Sequence, residues 1–341
     1  MIHTFELQWM IANHKNASRL ARDLFDGDLN NGLASCQFHE DYPGLHEITM
    51  RHLGEEYYTV TLAVEPQALI ENNYTISLFD ASAMSKRELQ RAFSSAIDEI
   101  ADRALPRDMN RWYTKRIDYA MNLHCNHVER YIQLAKKGRD PYRYEEKRNW
   151  AGSSYRQCKS TRLNYYDKAD QVSKSYGHMP KVQLQLLQEA EGVLRIEIQC
   201  REYSKLQNLK KKHRLPDMKI SSFLDPKVAS QVIQGYYEKV IGYGDYYSLS
   251  EAWKLIESTS WRRNKKNNIY NWLRLIAQAR SISKAREQFV QGTRLKNTGI
   301  TVQGSQNTFR NYVRACQSIN LNPVTIPRKW KVSSMQNPFR V

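Results

Sequence analysis

The chain has 341 residues, enough for two domains of ordinary size, because single hydrophobic cores stop growing beyond roughly 250 to 300 residues. Its apolar fraction of 41%, with 21 Tyr and 7 Trp, is typical of a folded globular protein. No apolar run approaches the ~18 residues of a membrane-spanning helix, and the first residues lack the basic-then-apolar order of a signal peptide. The five cysteines are scattered, without a Cys-x-x-Cys pair. We therefore expect a cytoplasmic protein with no membrane partner.

The net charge of +17 is concentrated in one part of the chain. Residues 203–341 carry 25 Lys and Arg against 7 Asp and Glu, a net +18, whereas residues 1–202 carry 27 against 28. Each phosphate that a basic surface neutralises releases condensed counterions, so such asymmetry is typical of a module that binds a polyanion. A membrane surface is the weaker alternative, because no strongly apolar helix face accompanies the basic one. We expect the partner to be nucleic acid.

Hydrophobic periodicity predicts alternating strands and helices in the first 215 residues. A helix capped by Ser85 stops before Pro106. Residues 129–160 are polar and basic, and predict a short helix followed by an exposed loop or hairpin. The predicted strands are 5–11, 46–51, 57–64, 112–123, 161–168 and 193–200. Further helices are predicted at 182–190 and 205–214.

Beyond Pro216 every periodic segment is helical, so we place a domain boundary at 215/216. The chain then divides into a mixed α and β domain, 1–215, and a basic, all-helical domain, 216–341. The predicted helices are 228–241, 249–258, 269–280, 283–291 and 305–319. The last two, within 283–319, have the spacing of a possible helix-turn-helix, which is a signal of low specificity.

The strand at 161–168 contains two adjacent tyrosines, and alternation separates them. Tyr165 shares a face with apolar Leu163, whereas Tyr166 lies on the polar face with Asn164. Lys168 is predicted on that same face, about 7 Å further along the strand, where it can hold a phosphate or favour the phenolate. Of the two tyrosines, only Tyr166 is therefore a candidate nucleophile.

Two other predicted strands place carboxylates on polar faces. Asp118 alternates with apolar residues in 112–123, and Glu197 does so in 193–200. If these strands share a sheet with the tyrosine strand, Asp118, Tyr166 and Glu197 converge on one surface. His124 lies on the face of Asp118 and is a possible third ligand, and His127 is a weaker candidate because the strand ends before it.

These residue types together suit cleavage of DNA through a covalent protein link. A tyrosine with a pKa near 10 is a poor nucleophile at neutral pH, so the site must stabilise both the phenolate and the phosphate charge. A divalent cation, Mg²⁺ or Mn²⁺, held by carboxylates supplies that charge. Simpler interpretations stay open: a strand tyrosine usually serves packing, and an Arg two residues from an acid usually forms an ion pair.

The same stretches also resemble a known family. Arg116 to Asn122 (RIDYAMN), Tyr166-Asp167-Lys168 and Leu194 to Ile198 (LRIEI), in this order, resemble the rolling-circle replication initiators of filamentous phages and of small plasmids from Gram-positive bacteria. The segment 319–327 (INLNPVTIP) is similar to the ending of such proteins. This resemblance covers roughly residues 1–205. The His-hydrophobic-His element of the wider superfamily is absent, since two residues separate His124 from His127.

The resemblance implies an α+β fold with an antiparallel-sheet nuclease domain of HUH type, Tyr166 as the nicking residue, and Asp118 and Glu197 in the metal site. It implies a rolling-circle initiator that leaves a 5′-phosphotyrosine and a 3′-OH primer, with a host helicase and a DNA polymerase as partners. A non-catalytic DNA-binding regulator and a conjugative relaxase are the alternatives. We expect contacts to origin phosphates from cations of the basic domain. They are Arg262, Arg263, Lys265, Lys266, Arg310 and Arg314.

Overall fold

The structure is a computed structural model that describes residues 1–12, 14–25, 33–37, 42–54, 57–101 and 104–339. Within these residues the chain is a mixed α+β protein with a large antiparallel sheet and 13 α-helices, which confirms the expected class. Among them, none of the helices combines the length and apolarity needed to span a bilayer.

The chain divides into two compact units. The first contains Met1–Asn122, Gln157–Asn164 and Lys168–Gln234. The second contains Leu123–Arg156, Tyr165–Asp167 and Gly235–Val341. The domain boundary that the sequence predicts at 215/216 separates segments expected to fold independently. It stays a prediction.

The long strands occur in the first two thirds of the chain. They are β1 (Ile2–Ile11), β2 (Leu33–Gln37), β3 (Leu45–Gly54), β4 (Tyr57–Val64), β5 (Tyr113–His124), β6 (Glu146–Trp150), β7 (Ser153–Cys158), β8 (Thr161–Asp167) and β9 (Val193–Arg201). In the first unit the order in space is β2-β3-β4-β1-β5-β9-β8, and in the second β6 lies beside β7. The central strands β1 and β4 pair antiparallel, with Leu7 opposite Leu62, and both side chains are fully buried.

Helices connect the strands and form most of the C-terminal part. They are α1 (His14–Phe25), α2 (Pro66–Glu71), α3 (Ala83–Ala101), α4 (Val128–Ala135), α5 (Lys168–Ser175), α6 (Pro180–Ala190), α7 (Tyr203–His213), α8 (Ile220–Phe223), α9 (Pro226–Val240), α10 (Leu249–Glu257), α11 (Arg263–Ala279), α12 (Ile282–Gln291) and α13 (Gln306–Gln317). In α3 the residues Leu89, Phe93 and Ile97 are fully buried, as their helical spacing predicts.

The predicted cap of α3 was misplaced by three residues. The helix begins at Ala83, and the Ser82 hydroxyl accepts a hydrogen bond from the backbone N–H of Ser85 at 3.2 Å. Ser85 therefore lies inside the first turn, and Ser82 is the residue that satisfies a terminal donor.

We expect Ser82→Ala to lower the free energy of unfolding by about 1 kcal/mol, because the N–H of Ser85 loses its acceptor. Ser95→Ala is the matched control, since Ser95 is exposed in the interior of the same helix and alanine favours helix. Urea denaturation of both variants measures the difference. Equal stabilities would contradict the capping role of Ser82.

Two other predictions need correction. Strand β8 ends at Asp167, and Lys168 is the first residue of α5, so Lys168 does not continue the strand face of Tyr166. The C-terminal part is not wholly helical, because short pairs of strands occur there. They are β10 (Tyr246–Tyr247) with β13 (Ser334–Met335), and β11 (Thr293–Arg294) with β12 (Thr301–Val302). The β11–β12 hairpin stands between α12 and α13, in place of the short turn of a helix-turn-helix.

Candidate metal centre

Three side chains that can bind a metal meet in the first unit. Ligand atoms of His3, Asp118 and Glu197 all lie within 4.8 Å of one another. These residues come from β1, β5 and β9, which are neighbours in the sheet. The sheet therefore assembles, from segments far apart in sequence, a group with one imidazole and two carboxylates.

An irregularity in β1 contributes the histidine. Strands β1 and β5 pair antiparallel, with Ile2 opposite Tyr119 and Thr4 opposite Asp118, so His3 is the extra residue of a bulge. A bulge redirects a side chain that strict alternation would place elsewhere, and bulges are frequent beside active sites. The Nδ1 atom of His3 consequently lies 3.2 Å from the Oε2 oxygen of Glu197.

The carboxylate of Glu197 is held in place by two amides. Gln199, two residues further along β9 and on the same face, donates from Nε2 to Oε1 of Glu197 at 2.7 Å. Asn164 of β8 donates to the same oxygen at 3.4 Å. Glu197 is only 4% exposed, so these bonds fix a charged group that burial would otherwise disfavour.

Asp118 is the most deeply buried acid of the cluster, at 1% exposed. Burial, together with the nearby charge of Glu197, raises the pKa of Asp118 to about 7, although Arg116 acts against it. Arg116 donates to both carboxylate oxygens, at 2.8 and 2.5 Å, and to Glu6 at 2.9 Å. Two buried carboxylates that lie close together are an arrangement that a divalent cation would stabilise.

A further carboxylate, that of Glu65, lies near the histidine. Oε1 of Glu65 lies 3.7 Å from Nε2 of His3, and its other oxygen lies 2.9 Å from Nε2 of His46. Burial acts to raise the pKa of Glu65, but the hydrogen bond from His46 and the charges of His3 and Lys168 lower it to about 2. Burial also lowers the pKa of His3, which favours the neutral imidazole that metals bind. At 3.7 Å from Nε2 of His3, Glu65 is near the imidazole but does not form a hydrogen bond with it.

Two buried cations lie close to these acids. Lys168 is 4% exposed, and burial and the charge of Arg195 lower its pKa to about 7, against the opposing charges of Glu65 and Glu197. Arg195 is fully buried and donates from Nε to Oδ1 of Asn122 at 2.7 Å. Its Nη1 has no hydrogen-bond partner among the described residues. An unmet buried donor of this kind costs roughly 1–3 kcal/mol.

The structure thus brings Asp118, Glu197 and Lys168 into one unit, as polar-face alternation predicted for the two acids. Tyr166 belongs to the second unit. In β8 it is partly exposed, whereas Tyr165 is fully buried, which agrees with the predicted separation of the pair.

His124 does not belong to the cluster. It is exposed at the end of β5, in the second unit, and lines an open cleft with Cys125 and His127. The histidine that accompanies the two acids is His3, which the sequence patterns did not indicate.

The predicted DNA contacts fall into two groups. At the start of α11, Lys265 lies 4.4 Å above the ring of Trp261, and Arg263 both pairs with Glu257 at 2.5 Å and lies over Trp253. Arg262 and Lys266 flank them, and all four occupy the first turn of α11 or its cap. Arg310 and Arg314 lie on α13 and face a different cleft.

The donor set fits a divalent cation. Carboxylate oxygens suit Mg²⁺ and Mn²⁺, and a single imidazole is compatible with Mn²⁺. The amides of Gln199 and Asn164 supply outer hydrogen bonds to Glu197 of the kind that such sites need. No protein-family model matches the chain, and none of the curated proteins compared with it is a match.

Proposed function

We propose that this chain is a metal-dependent, site-specific DNA endonuclease and strand transferase that initiates rolling-circle replication of a plasmid or phage. One observation carries the proposal: His3, Asp118 and Glu197 form a buried group of metal-binding donors, with the cations Lys168 and Arg195 close by. That combination suits a phosphodiester held next to a divalent ion.

In this proposal His3, Asp118 and Glu197 hold Mg²⁺ or Mn²⁺, which supplies positive charge to the scissile phosphate. Arg195 and Lys168, both buried near the cluster, add positive charge that offsets the charge of the phosphate. Glu65, 3.7 Å from the imidazole of His3, adds negative charge next to it. Their shared task is to bind and orient the phosphodiester and to offset its charge.

Tyr166 is the proposed nucleophile. Its phenolic oxygen, on losing its proton, forms a bond to phosphorus while the bond from phosphorus to the 3′-oxygen breaks. The 3′-oxygen takes up a proton and becomes the 3′-OH that primes a host DNA polymerase, and a host helicase opens the duplex ahead. Because the phosphotyrosyl bond keeps the energy of the broken ester, the reverse reaction rejoins ends without ATP.

The basic C-terminal residues are the proposed anchor for origin DNA. Their cations contact phosphates and set the register of the duplex, without reading its sequence directly. The six residues are Arg262, Arg263, Lys265, Lys266, Arg310 and Arg314.

A DNA-binding regulator without catalysis is the second candidate, favoured by one contact. Arg116 engages both oxygens of Asp118, as in a purely structural ion pair. In that case the cluster stabilises the sheet, and DNA binding depends only on the basic residues.

Incubation with supercoiled DNA separates the two candidates. We expect the protein to convert a plasmid that carries the origin of its own replicon into open circles with Mg²⁺ or Mn²⁺, and to leave it supercoiled in EDTA. A plasmid of equal size without that origin is the control. Binding of the origin without nicking under any of these conditions would favour the regulator.

A further inference from the structure

A cleft of about 580 Å³ opens in the second unit. The segment that follows α4 forms one side, and residues of α9, α12 and α13 form the others. Five cations line it. They are Arg139, Lys239, Arg286, Arg310 and Arg314.

Among the residues that the structure describes, no carboxylate pairs with the cations of the cleft. Its single acidic lining residue, Asp140, is already engaged by Arg156 at 2.8 Å and by Lys147 at 2.9 Å. None of the five lining cations forms an ion pair with a carboxylate in the part of the chain that the structure describes. Burial and the charge of Arg286 lower the pKa of Arg139. Like charges gathered without counter-charges fit an anionic ligand.

Aromatic side chains alternate with these cations. Tyr142, Tyr144 and Tyr236 line the cleft, and Tyr142 is 86% exposed. Lys239 lies 5.0 Å above the ring of Tyr236. A basic groove with aromatic faces is the combination that binds single-stranded nucleic acid, because the cations follow the backbone while bases stack on the rings.

The cations are also spaced along an element. Arg310 and Arg314 are four residues apart on α13, hence about 6 Å apart along one helix face. Arg286 reaches the same cleft from α12. This row can contact successive phosphates of one strand, whereas the volume of the cleft is too small to enclose a duplex.

We propose that this cleft binds single-stranded DNA, with backbone phosphates at Arg286, Arg310 and Arg314 and a base stacked on Tyr142. The choice of DNA over RNA rests on the proposed function, whereas the preference for a single strand rests on the cleft alone. This proposal narrows the assignment of the six DNA-contacting cations given above: Arg310 and Arg314 hold the unpaired strand, and only the four at the start of α11 contact the origin duplex.

The test is equilibrium binding by the full chain in EDTA, followed by fluorescence anisotropy. The probe is an oligothymidylate of about 16 nucleotides, the upper end of common site sizes. We expect Tyr142→Ala to weaken binding roughly 5- to 100-fold, and Tyr142→Phe to retain it, because a phenyl ring still stacks. Tyr57→Ala, which removes another exposed tyrosine, is the control and should bind as the wild type does.

The salt dependence gives an independent measurement. For a single strand, each phosphate contact contributes about −0.7 to the slope of log K against log salt. Arg286→Gln and Arg314→Gln should each reduce the slope by that amount, and Lys296→Gln, an exposed lysine outside the cleft, should not change it. Unchanged affinity of Tyr142→Ala, or equal losses on a duplex of the same length, would overturn the proposal.

Failure of the strand-binding proposal can be distinguished from failure of the proposed endonuclease activity. Binding in EDTA requires neither the metal nor Tyr166. If the protein binds single strands with the expected salt slopes but does not nick DNA when metal is present, the cleft proposal is supported and the endonuclease proposal is rejected. If the protein nicks DNA but the cleft variants bind single strands as the wild type does, the endonuclease proposal is supported and the cleft proposal is rejected.

Discussion

Tyr166→Phe will lower the rate of origin nicking at least about a thousandfold and remove the covalent DNA adduct, because phenylalanine has no oxygen to attack phosphorus. The ring itself is retained, so the packing around β8 changes little. The measurement is conversion of supercoiled origin plasmid with Mn²⁺, together with a gel assay for protein-linked DNA.

Tyr165→Phe is the matched control for that substitution. Tyr165 is the adjacent residue in β8 and is fully buried, and its hydroxyl has no hydrogen-bond partner among the described residues. Burial raises the pKa of Tyr165, which makes its phenolate still less accessible. We expect this variant to nick normally. If Tyr165→Phe loses nicking and Tyr166→Phe retains it, then Tyr165 and not Tyr166 is the nucleophile.

Glu197→Gln will weaken Mn²⁺ binding at least about 100-fold, since a neutral amide replaces a charged ligand and even outer-shell changes cost 10- to 100-fold. The amide of Gln199 would also meet a less favourable acceptor than the present carboxylate. Isothermal titration with Mn²⁺ measures the affinity, and nicking should fall in parallel.

Glu189→Gln controls for the loss of one negative charge. Glu189 is exposed on α6, where Gln185 donates to it at 3.4 Å, and its replacement should leave Mn²⁺ affinity unchanged. Circular dichroism verifies that both variants are folded. If folded Glu197→Gln binds Mn²⁺ as tightly as the wild type, the cluster is a structural ion-pair network and not a metal site.

Local patterns were sufficient for most of the strands. The β-branched and aromatic run 57–64 corresponds to β4 residue for residue. Alternation also separated Tyr165 from Tyr166 and placed Asp118 and Glu197 on polar faces, because the side chains of a strand point to opposite sides in turn.

Reasoning from strand alternation did not identify the histidine of the site, because the backbone is irregular there. His3 reaches the cluster through a bulge whose existence depends on how β1 pairs with β5, a strand more than 100 residues later. By alternation His124 shares a strand face with Asp118, yet it lies at the exposed end of β5. Pairing between distant segments has no signature in a local pattern, so the histidine of the site could not be selected from sequence.

The basic cleft illustrates the same limit for binding sites. Charge counts led to the prediction that the C-terminal part binds a polyanion, and Arg310 and Arg314 were predicted as contacts from the outer face of one helix. Arg139 and Arg286 come from other segments, and only tertiary packing places them in the same cleft. Composition thus suggested a class of ligand, which stays a prediction, whereas the cleft and its tyrosines could be found only from the fold.

The most direct test of the proposed reaction is mass spectrometry of the wild-type protein after incubation with origin DNA and Mn²⁺, nuclease trimming and proteolysis. The proposal predicts a nucleotide linked through a 5′-phosphate to the peptide that contains Tyr166. A nucleotide on another tyrosine, or nicked DNA without any protein-linked peptide, would contradict it.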